Sequence, residues 1–349
     1  MIKLLHTGDV HLGYRQYNLK QRADDFVNAF YEVINIAVAE KIDILIIGGD
    51  LFEHAKPEPS DIHKARVAVE SLKKTGINVI GMPGTHDGNP YIYKLCNIED
   101  IAVINGVKIK CIPTIRQPNK LQEALLSLDK SINILVLHQG LKEAFPFSYE
   151  LDFETLRALV ADTDINLVLL AHIHKWQIFE SDKIKAVYCG STEMNDITEQ
   201  TDKSCNLITY DETNKKVINI ERKYIKIVPP KVFTITTEEE LNKVYSELQP
   251  DSLCYIKLVP ELHGLTEKFY VKAEELNIRL HITNYSVDKE ESFDIHEIES
   301  WDKSKVLPDI KNIVESEYPQ DSDEYRLITA LLDNPDGYQE IIENYIGAA

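Results

Sequence analysis

Ile2-Lys3-Leu4-Leu5-His6-Thr7-Gly8-Asp9-Val10-His11 begins as an apolar run and turns polar within a few residues. Ile2–Leu5 reads as a buried strand bounded by turn residues. Asp9 and His11 stand two apart, so in extended chain their side chains project from the same face. The pattern recurs four times. Ile44-Leu45-Ile46-Ile47 leads to Gly48-Gly49-Asp50, and Val79-Ile80 to Gly84-Thr85-His86-Asp87. Ile134-Leu135-Val136-Leu137 leads to His138, and Leu167-Val168-Leu169-Leu170 to His172-Ile173-His174. All five runs deliver polar groups at the strand's C-terminal end, where open α/β sheets place their sites.

Helix-like segments separate these runs. Lys20–Glu40 carries apolar Phe26, Phe30, Val33, Ile34 and Ala37, and Ser60–Thr75, Leu121–Leu128 and Phe153–Val160 follow. Such alternation predicts a layered α/β sheet. From Trp176 to Ile227 the pattern shifts to short strands with turns such as Asp211-Glu212-Thr213-Asn214, which predicts an antiparallel sheet completing the domain. The expected fold class is therefore α/β, a two-sheet sandwich flanked by helices over residues 1–228. Pro229-Pro230 reads as a linker, since neither residue donates to a ladder or continues a helix. Val232–Ile235, Glu238–Leu248, Leu253–Val259, Lys268–Glu275 and Ile278–Tyr285 then read as strand, helix, strand, helix, strand, a small α+β domain over 229–286. A polar, acidic connector over 287–305 follows. Residues 306–349 hold three short amphipathic helices, Val306–Val314, Glu324–Leu332 and Tyr338–Tyr345, a helical tail whose apolar faces are expected to dock on a partner.

Composition narrows the function classes. The chain has 349 residues, 44% of them apolar, enough for two domains. No apolar run approaches the roughly 18 residues of a membrane span, and Asp9 interrupts the N-terminal apolar stretch, so an intracellular, cytoplasmic protein is expected. Five scattered cysteines, with no Cys-x-x-Cys pair, argue against disulfides and zinc knuckles and read as small buried hydrophobes. The net charge of −19 is uneven: residues 1–230 hold 31 acidic and 27 basic side chains, whereas 231–349 hold 26 and 11. The site-bearing region is thus close to neutral, which keeps nucleic acid open as a partner.

Together the five polar ends read as one binuclear metal site. Two divalent ions about 3.5–4 Å apart clamp the attacking and departing oxygens of a phosphate ester. Asp50 is the natural bridging carboxylate, because Gly48-Gly49 permits close backbone approach. Asp9, His11 and His174 then serve one metal, and His138 and His172 the second. This donor set suits manganese, iron or zinc without fixing which; the expected cofactors are two divalent ions, manganese first, with magnesium, iron or zinc as alternatives. His6, His54, His63, His263, His281 and His296 lack comparable context and read as structural or surface residues.

The order Asp-x-His, Gly-Asp, Gly-x-His-Asp, lone His, His-x-His resembles the calcineurin-like binuclear metallophosphoesterases. A longer stretch, Thr7 to Arg22 with Asp24, Asp25 and Phe26, is similar to the opening of the SbcD, or meiotic-recombination-eleven, nuclease family. Asp50-Leu51-Phe52, Lys56-Pro57 and Leu137-His138-Gln139-Gly140 extend that resemblance, which covers residues 1 to about 225 by motif. It implies a metal-dependent exo- and endonuclease acting at DNA ends in double-strand break repair, close to the nucleoid. It also implies that 229–286 caps the active site, that the C-terminal helices bind an SMC-like ABC ATPase of the SbcC type, and that two copies form a homodimer. The apolar faces of early helices, such as Ile62, Val67 and Leu72, would supply the dimer contact.

Several residue roles follow from the resemblance alone. His86 protonates or stabilises the leaving oxygen, and Asp87 orients it. Tyr14, Arg15, Tyr17, Lys20 and Arg22 form a basic, aromatic loop for phosphate contacts and stacking. Tyr188-Cys189-Gly190-Ser191 closes the site floor. The family's asparagine, a ligand of the second metal, is Thr85 here. A shorter, neutral hydroxyl is the weaker ligand, so a loosely held second metal and slow turnover are expected. Glu53 stands where the family commonly has histidine, and beside a DNA path it would repel phosphate. Two other readings are a metallophosphoesterase of small molecules and a weakened DNA-binding scaffold for the ATPase.

Overall fold

The computed structural model describes residues 1–285 apart from Phe147 and Gln200. The expected connector 287–305, the helices within 306–349 and His296 lie outside the described residues. In order, the chain forms β1 (Ile2–Thr7), α1 (Lys20–Glu40), β2 (Ile44–Ile47), α2 (Pro59–Lys74), β3 (Asn78–Gly81), α3 (Pro90–Leu95), β4 (Ile101–Ile104), β5 (Val107–Ile112) and α4 (Pro118–Leu126). Next come β6 (Ile134–His138), α5 (Phe153–Leu159), β7 (Leu167–Ala171), β8 (Gln177–Glu180), β9 (Lys185–Tyr188), β10 (Ser204–Asp211) and β11 (Lys216–Tyr224). The last elements are β12 (Pro230–Ile235), α6 (Glu238–Glu247), β13 (Leu253–Leu258), α7 (Glu267–Glu275) and β14 (Arg279–Asn284).

Strand alternation decides the layering. Ile2, Leu4, Ile44 and Ile46 face a core shared with Ile134, Val136, Leu167 and Leu169 of a second sheet. Leu5, Leu45 and Ile47 face the other way, against Phe30, Val33 and Ala37 of α1 and Val69 and Leu72 of α2. Leu135, Leu137, Val168 and Leu170 likewise face Leu121 and Leu125 of α4 and Leu156 of α5. The central strands β2, β6 and β7 are thereby buried on both faces, as continuous apolar runs require. The sheet orders are β11-β10-β1-β2-β3 and β4-β5-β6-β7-β9-β8. The result is the α/β two-sheet sandwich flanked by helices that the alternation predicts.

Strands from 177 to 224 make no sheet of their own. The β8–β9 hairpin joins the second sheet and β10–β11 the first, with β10 antiparallel to β1. The β4–β5 hairpin turns at Asn105-Gly106, whose φ of 47° and 80° suit a type I′ turn. On α2, Leu72 is buried and Ile62 packs on the same core, while Val67 is exposed. Two of the three residues expected at a dimer face therefore pack against their own sheet.

Residues 230–284 build a parallel sheet, β12-β13-β14, connected through α6 and α7. Ile235, Leu241, Ile256, Phe269 and Leu280 form its separate core. Pro230 is the first residue of β12 rather than a linker; β12 is an edge strand, where a missing N–H is tolerated. The module belongs to the same compact unit as the sandwich, Met1–Tyr285. Arg279 grips the Asp25 carboxylate from both sides, Nε to Oδ2 and Nη2 to Oδ1, each at 2.6 Å. Beside this clamp the Tyr17 ring stacks on His281 with centroids 4.1 Å apart.

Arg22 corrects an expectation. Rather than facing a phosphate, it is fully buried. Its Nε donates to Gln16 Oε1 at 2.8 Å, Nη1 to Asp25 Oδ2 at 2.8 Å, and Nη2 to Glu193 Oε1 at 3.2 Å and the Met194 carbonyl at 3.0 Å. A planar five-donor guanidinium suits this enclosed fork. Arg22→Met leaves Asp25 and Glu193 buried without that cation, and is expected to lower unfolding free energy by about 3–5 kcal/mol. Urea denaturation checks this; a loss below about 1 kcal/mol, the scale of an exposed pair, contradicts it.

Candidate metal centre

Asp9 follows β1, Asp50 follows β2, the 84–87 loop follows β3, His138 ends β6, and His172 and His174 follow β7. The backbone there is strained. Asp9, His11, Asp50 and His172 have φ of 49°, 51°, 48° and 92°, a region that costs side-chain-bearing residues about 1–3 kcal/mol each. Cross-loop bonds hold it, with Asp9 N–H donating to Gly49 O at 3.1 Å, and Val10 and His11 N–H to Asp50 O at 2.8 and 3.0 Å. Gly49 has φ 110°, and a Cβ there would lie 2.3 Å from His138 Nδ1. Only glycine fits.

Ligand atoms of Asp9, His11 and His174 lie within 4.8 Å of one another, as do those of Asp9, Asp50 and His138. Asp9 is common to both groups, whereas Asp50, the carboxylate expected to bridge, belongs to the second alone. His172 stands beside the second, its ring 5.1 Å from that of His138, and its N–H donates to both Asp9 oxygens at 3.1 and 3.0 Å. The Thr85 hydroxyl is 3.4 Å from His172 Nδ1.

The histidines are set as metal ligands are set. His138 Nδ1 meets the Gly48 carbonyl at 3.0 Å, His11 Nδ1 meets Glu53 Oε2 at 2.7 Å, and His174 Nδ1 meets Glu199 Oε1 at 2.7 Å. An acceptor on Nδ1 holds the proton there and turns a bare Nε2 inward, the usual support of a ligating imidazole. His11 Nε2 and His138 Nε2 are buried without a hydrogen-bond partner. His138 Nε2 faces Asp50 Oδ2 at 3.2 Å, two lone-pair-bearing atoms that need a proton or a cation between them. Burial disfavours the proton, yet the carboxylates of Asp50 and Asp9 outweigh it and push His138 up to about 9. Asp50 itself, against its burial, is held well below the usual carboxylate range by His138 and His11. His172 is pushed down to about 4 by burial and by His138, which favours the neutral, ligating ring. Buried carboxylates with unpartnered imidazole nitrogens fit a pair of divalent cations.

At the rim, His86 is 44% exposed, and its Nδ1 faces the Glu53 carboxylate at 3.5 Å and the Glu53 carbonyl at 3.3 Å. The hydrogen bond to Glu53 pushes His86 up to about 9. Asp87 does not orient this ring. Its buried carboxylate accepts from Gly84 N–H at 2.7 Å, Phe52 N–H at 3.1 Å and Tyr93 O–H at 2.8 Å, so it braces the loop. Nor is Glu53 spread toward a substrate path: its side chain is only 12% exposed and engages His11 and His86. Burial favours its protonation, but those two bonds outweigh it and hold Glu53 down at about 2.

Among the loop residues, Arg15 and Lys20 are exposed, and Tyr14 and Tyr17 half-buried. Tyr14 and Arg15, with Asn18, His54, Lys56 and Glu58, line a cleft of about 380 Å³ that reaches Glu53. The Gly190 turn, φ 73°, brings Ser191 N–H to the His174 carbonyl at 3.2 Å and Thr192 N–H to the Asp9 carbonyl at 3.4 Å. Glu199 and buried Lys203 have no motif signal; the fold alone carries them to His174, Lys203 Nζ lying 2.5 Å from Glu199 Oε2. His6 is buried between the sheets and pushed down to about 3 by that burial, a structural residue. All five cysteines are free and buried. Among the described residues, no helix is long and apolar enough to cross a membrane.

The calcineurin-like phosphoesterase family model matches residues 2–176, half of the chain. The DNA double-strand break repair protein Mre11 of Saccharolobus solfataricus is 30% identical over 264 residues, covering 68% of this chain and 67% of that protein. The proteins of the same name from Haloferax volcanii and Archaeoglobus fulgidus are each 29% identical, over 243 and 280 residues. These matches cover 66% and 68% of this chain but only 53% and 62% of those proteins. The chain belongs to the calcineurin-like phosphoesterase family, and within it to the Mre11 group. The matched stretch spans between about half and two thirds of the length of these relatives.

His138→Ala is expected to lose one of the bound metals while retaining the other, with the fold intact. Metal analysis of protein dialysed against manganese reads this directly; unchanged stoichiometry contradicts the assignment.

Proposed function

We propose that this chain is a metal-dependent DNA nuclease that hydrolyses phosphodiester bonds at DNA ends in double-strand break repair. The observation that carries the reading is the buried patch in which Asp9 belongs to two donor groups while His11 and His138 turn unpartnered Nε2 atoms inward. Asp9, His11 and His174 would hold one divalent ion, and Asp50, His138 and His172, with Thr85 beside them, a second, manganese foremost. When bound, such ions supply Lewis acidity toward the phosphate oxygens and lower the pKa of water. The protein's own part is to orient the diester and to handle protons. His86, exposed at the rim, is suited to donate a proton to the departing oxygen. Arg15 and Lys20, exposed, and Tyr14 at the cleft are suited to phosphate contacts. The relatives' shared name, DNA double-strand break repair protein, supports the substrate and the setting.

The family resemblance of the sequence supports three further assignments. Residues 229–286 cap the site, 306–349 dock on an SMC-like ABC ATPase, and two copies associate in the cytoplasm near the nucleoid. The Thr85 hydroxyl, short of an amide's reach and close to His172, supports a detuned second metal.

Manganese-dependent hydrolysis of end-labelled duplex and single-stranded DNA tests the reading. His86→Ala is expected to lower turnover at least about 100-fold, as loss of a general acid does, and Thr85→Asn to raise it. A wild type that binds DNA tightly without cutting it, and gains activity in Thr85→Asn, is a scaffold instead. Turnover confined to small diesters, without salt-dependent DNA binding, marks a small-molecule enzyme.

A further inference from the structure

Glu53 directly follows Asp50-Leu51-Phe52, at a position where the family commonly has histidine, and its carboxylate faces two histidines of the site. Residues 51–53 run beside 10–12: Leu12 N–H donates to Leu51 O at 2.9 Å and Glu53 N–H to Leu12 O at 3.1 Å, with a parallel bridge between Leu12 and Phe52. That pairing sets the Glu53 side chain between two histidines from different loops. Oε2 lies 2.7 Å from His11 Nδ1 and Oε1 3.5 Å from His86 Nδ1, which the Glu53 backbone carbonyl also meets at 3.3 Å. The two rings meet edge to face with centroids 4.8 Å apart. Exposure rises along the series, 1% for His11, 12% for Glu53 and 44% for His86, from buried ligand to solvent-facing acid. The other nearby carboxylate, Asp87, already accepts three bonds from Gly84, Phe52 and Tyr93. Among the described residues, Glu53 is the carboxylate that meets the His86 ring.

We propose that Glu53 is the positioning residue of His86, holding Nδ1 so that Nε2 meets the departing oxygen, and keeping that ring in register with His11. The inference rests on the phosphodiesterase reading. In the step, a water oxygen bonds to phosphorus, the bond from phosphorus to the departing oxygen breaks, and the electron pair left there takes the proton from His86 Nε2. The attacking water gives its surplus proton to solvent, and solvent reprotonates His86. A ring free to flip or swing presents that proton only part of the time, and the loss falls on leaving groups that need one. An alkoxide leaving from DNA needs it; p-nitrophenolate leaving from an aryl diester does not.

Glu53→Gln separates the cases, because the ratio of two substrates within one preparation cancels any partly unfolded fraction. On a DNA strand, kcat is expected to fall about 10- to 100-fold further than on bis(p-nitrophenyl) phosphate, whose own loss reads the support that Glu53 gives His11. In the metal-free protein the nitrogen NMR signal of His86 Nδ1 should move. Equal losses on both substrates accompanied by lost metal overturn the inference, since Glu53 would then act only through His11. Unchanged DNA cleavage overturns it as well. A wild type inert on both substrates overturns the phosphodiesterase reading, and this inference with it.

Discussion

Two buried carboxylates facing imidazole nitrogens set the terms for this structure. Asp9 and Asp50 are 0% and 2% exposed, and His138 Nε2 stands 3.2 Å from Asp50 and 4.0 Å from Asp9. Charge of one sign is costly to bury unless a counter-charge is brought in with it. A proton on His138 does so partly; divalent cations do so fully, and they also satisfy the bare nitrogens. The strained φ values, the obligatory Gly49 and the backbone bonds between residues 9–11 and 49–50 all serve to hold these groups together. The sandwich provides the platform, because its parallel strands bring five chain segments to one edge.

What was legible in the sequence was what depends on local pattern. Apolar periodicity placed α1 at Lys20–Glu40 and put α2, α4, α5, α6 and α7 within a few residues of their ends, while the six-residue α3 is too short to show a period. The candidate ligands could be picked out because each stands at or just beyond the end of a strand. The β4–β5 hairpin was missed, since β4 is a short edge strand with Ile101 and Val103 exposed and so lacks a buried run's signature. Arg22 looked like a phosphate contact because a basic loop of that composition is generic. One of its partners, Glu193, is 171 residues away, and no spacing announces such a meeting. Glu53 was misjudged for a related reason: a carboxylate beside a DNA path reads as repulsive until two histidines are found to occupy it.

The same long-range contacts tie the site to the second module. Arg279, Asp25, Arg22 and Glu193 form a continuous run of ion pairs from β14 to the loop after Ser191, whose backbone supports His174 and Asp9. The run is buried for most of its length, so it is shielded from salt and resists piecemeal loss. The placement of 230–285 and the geometry of the metal-binding loops therefore share one polar support, and the Tyr17–His281 stack lies alongside it.

The strand ends are proposed to gather two divalent ions. Diffraction from crystals soaked in manganese, recorded at the manganese absorption edge, tests it without recourse to activity. Two anomalous peaks are predicted, one among Asp9, His11 and His174 and the other among Asp50, His138 and His172, the second weaker. Absence of peaks there, or a single peak elsewhere on the surface, would contradict it.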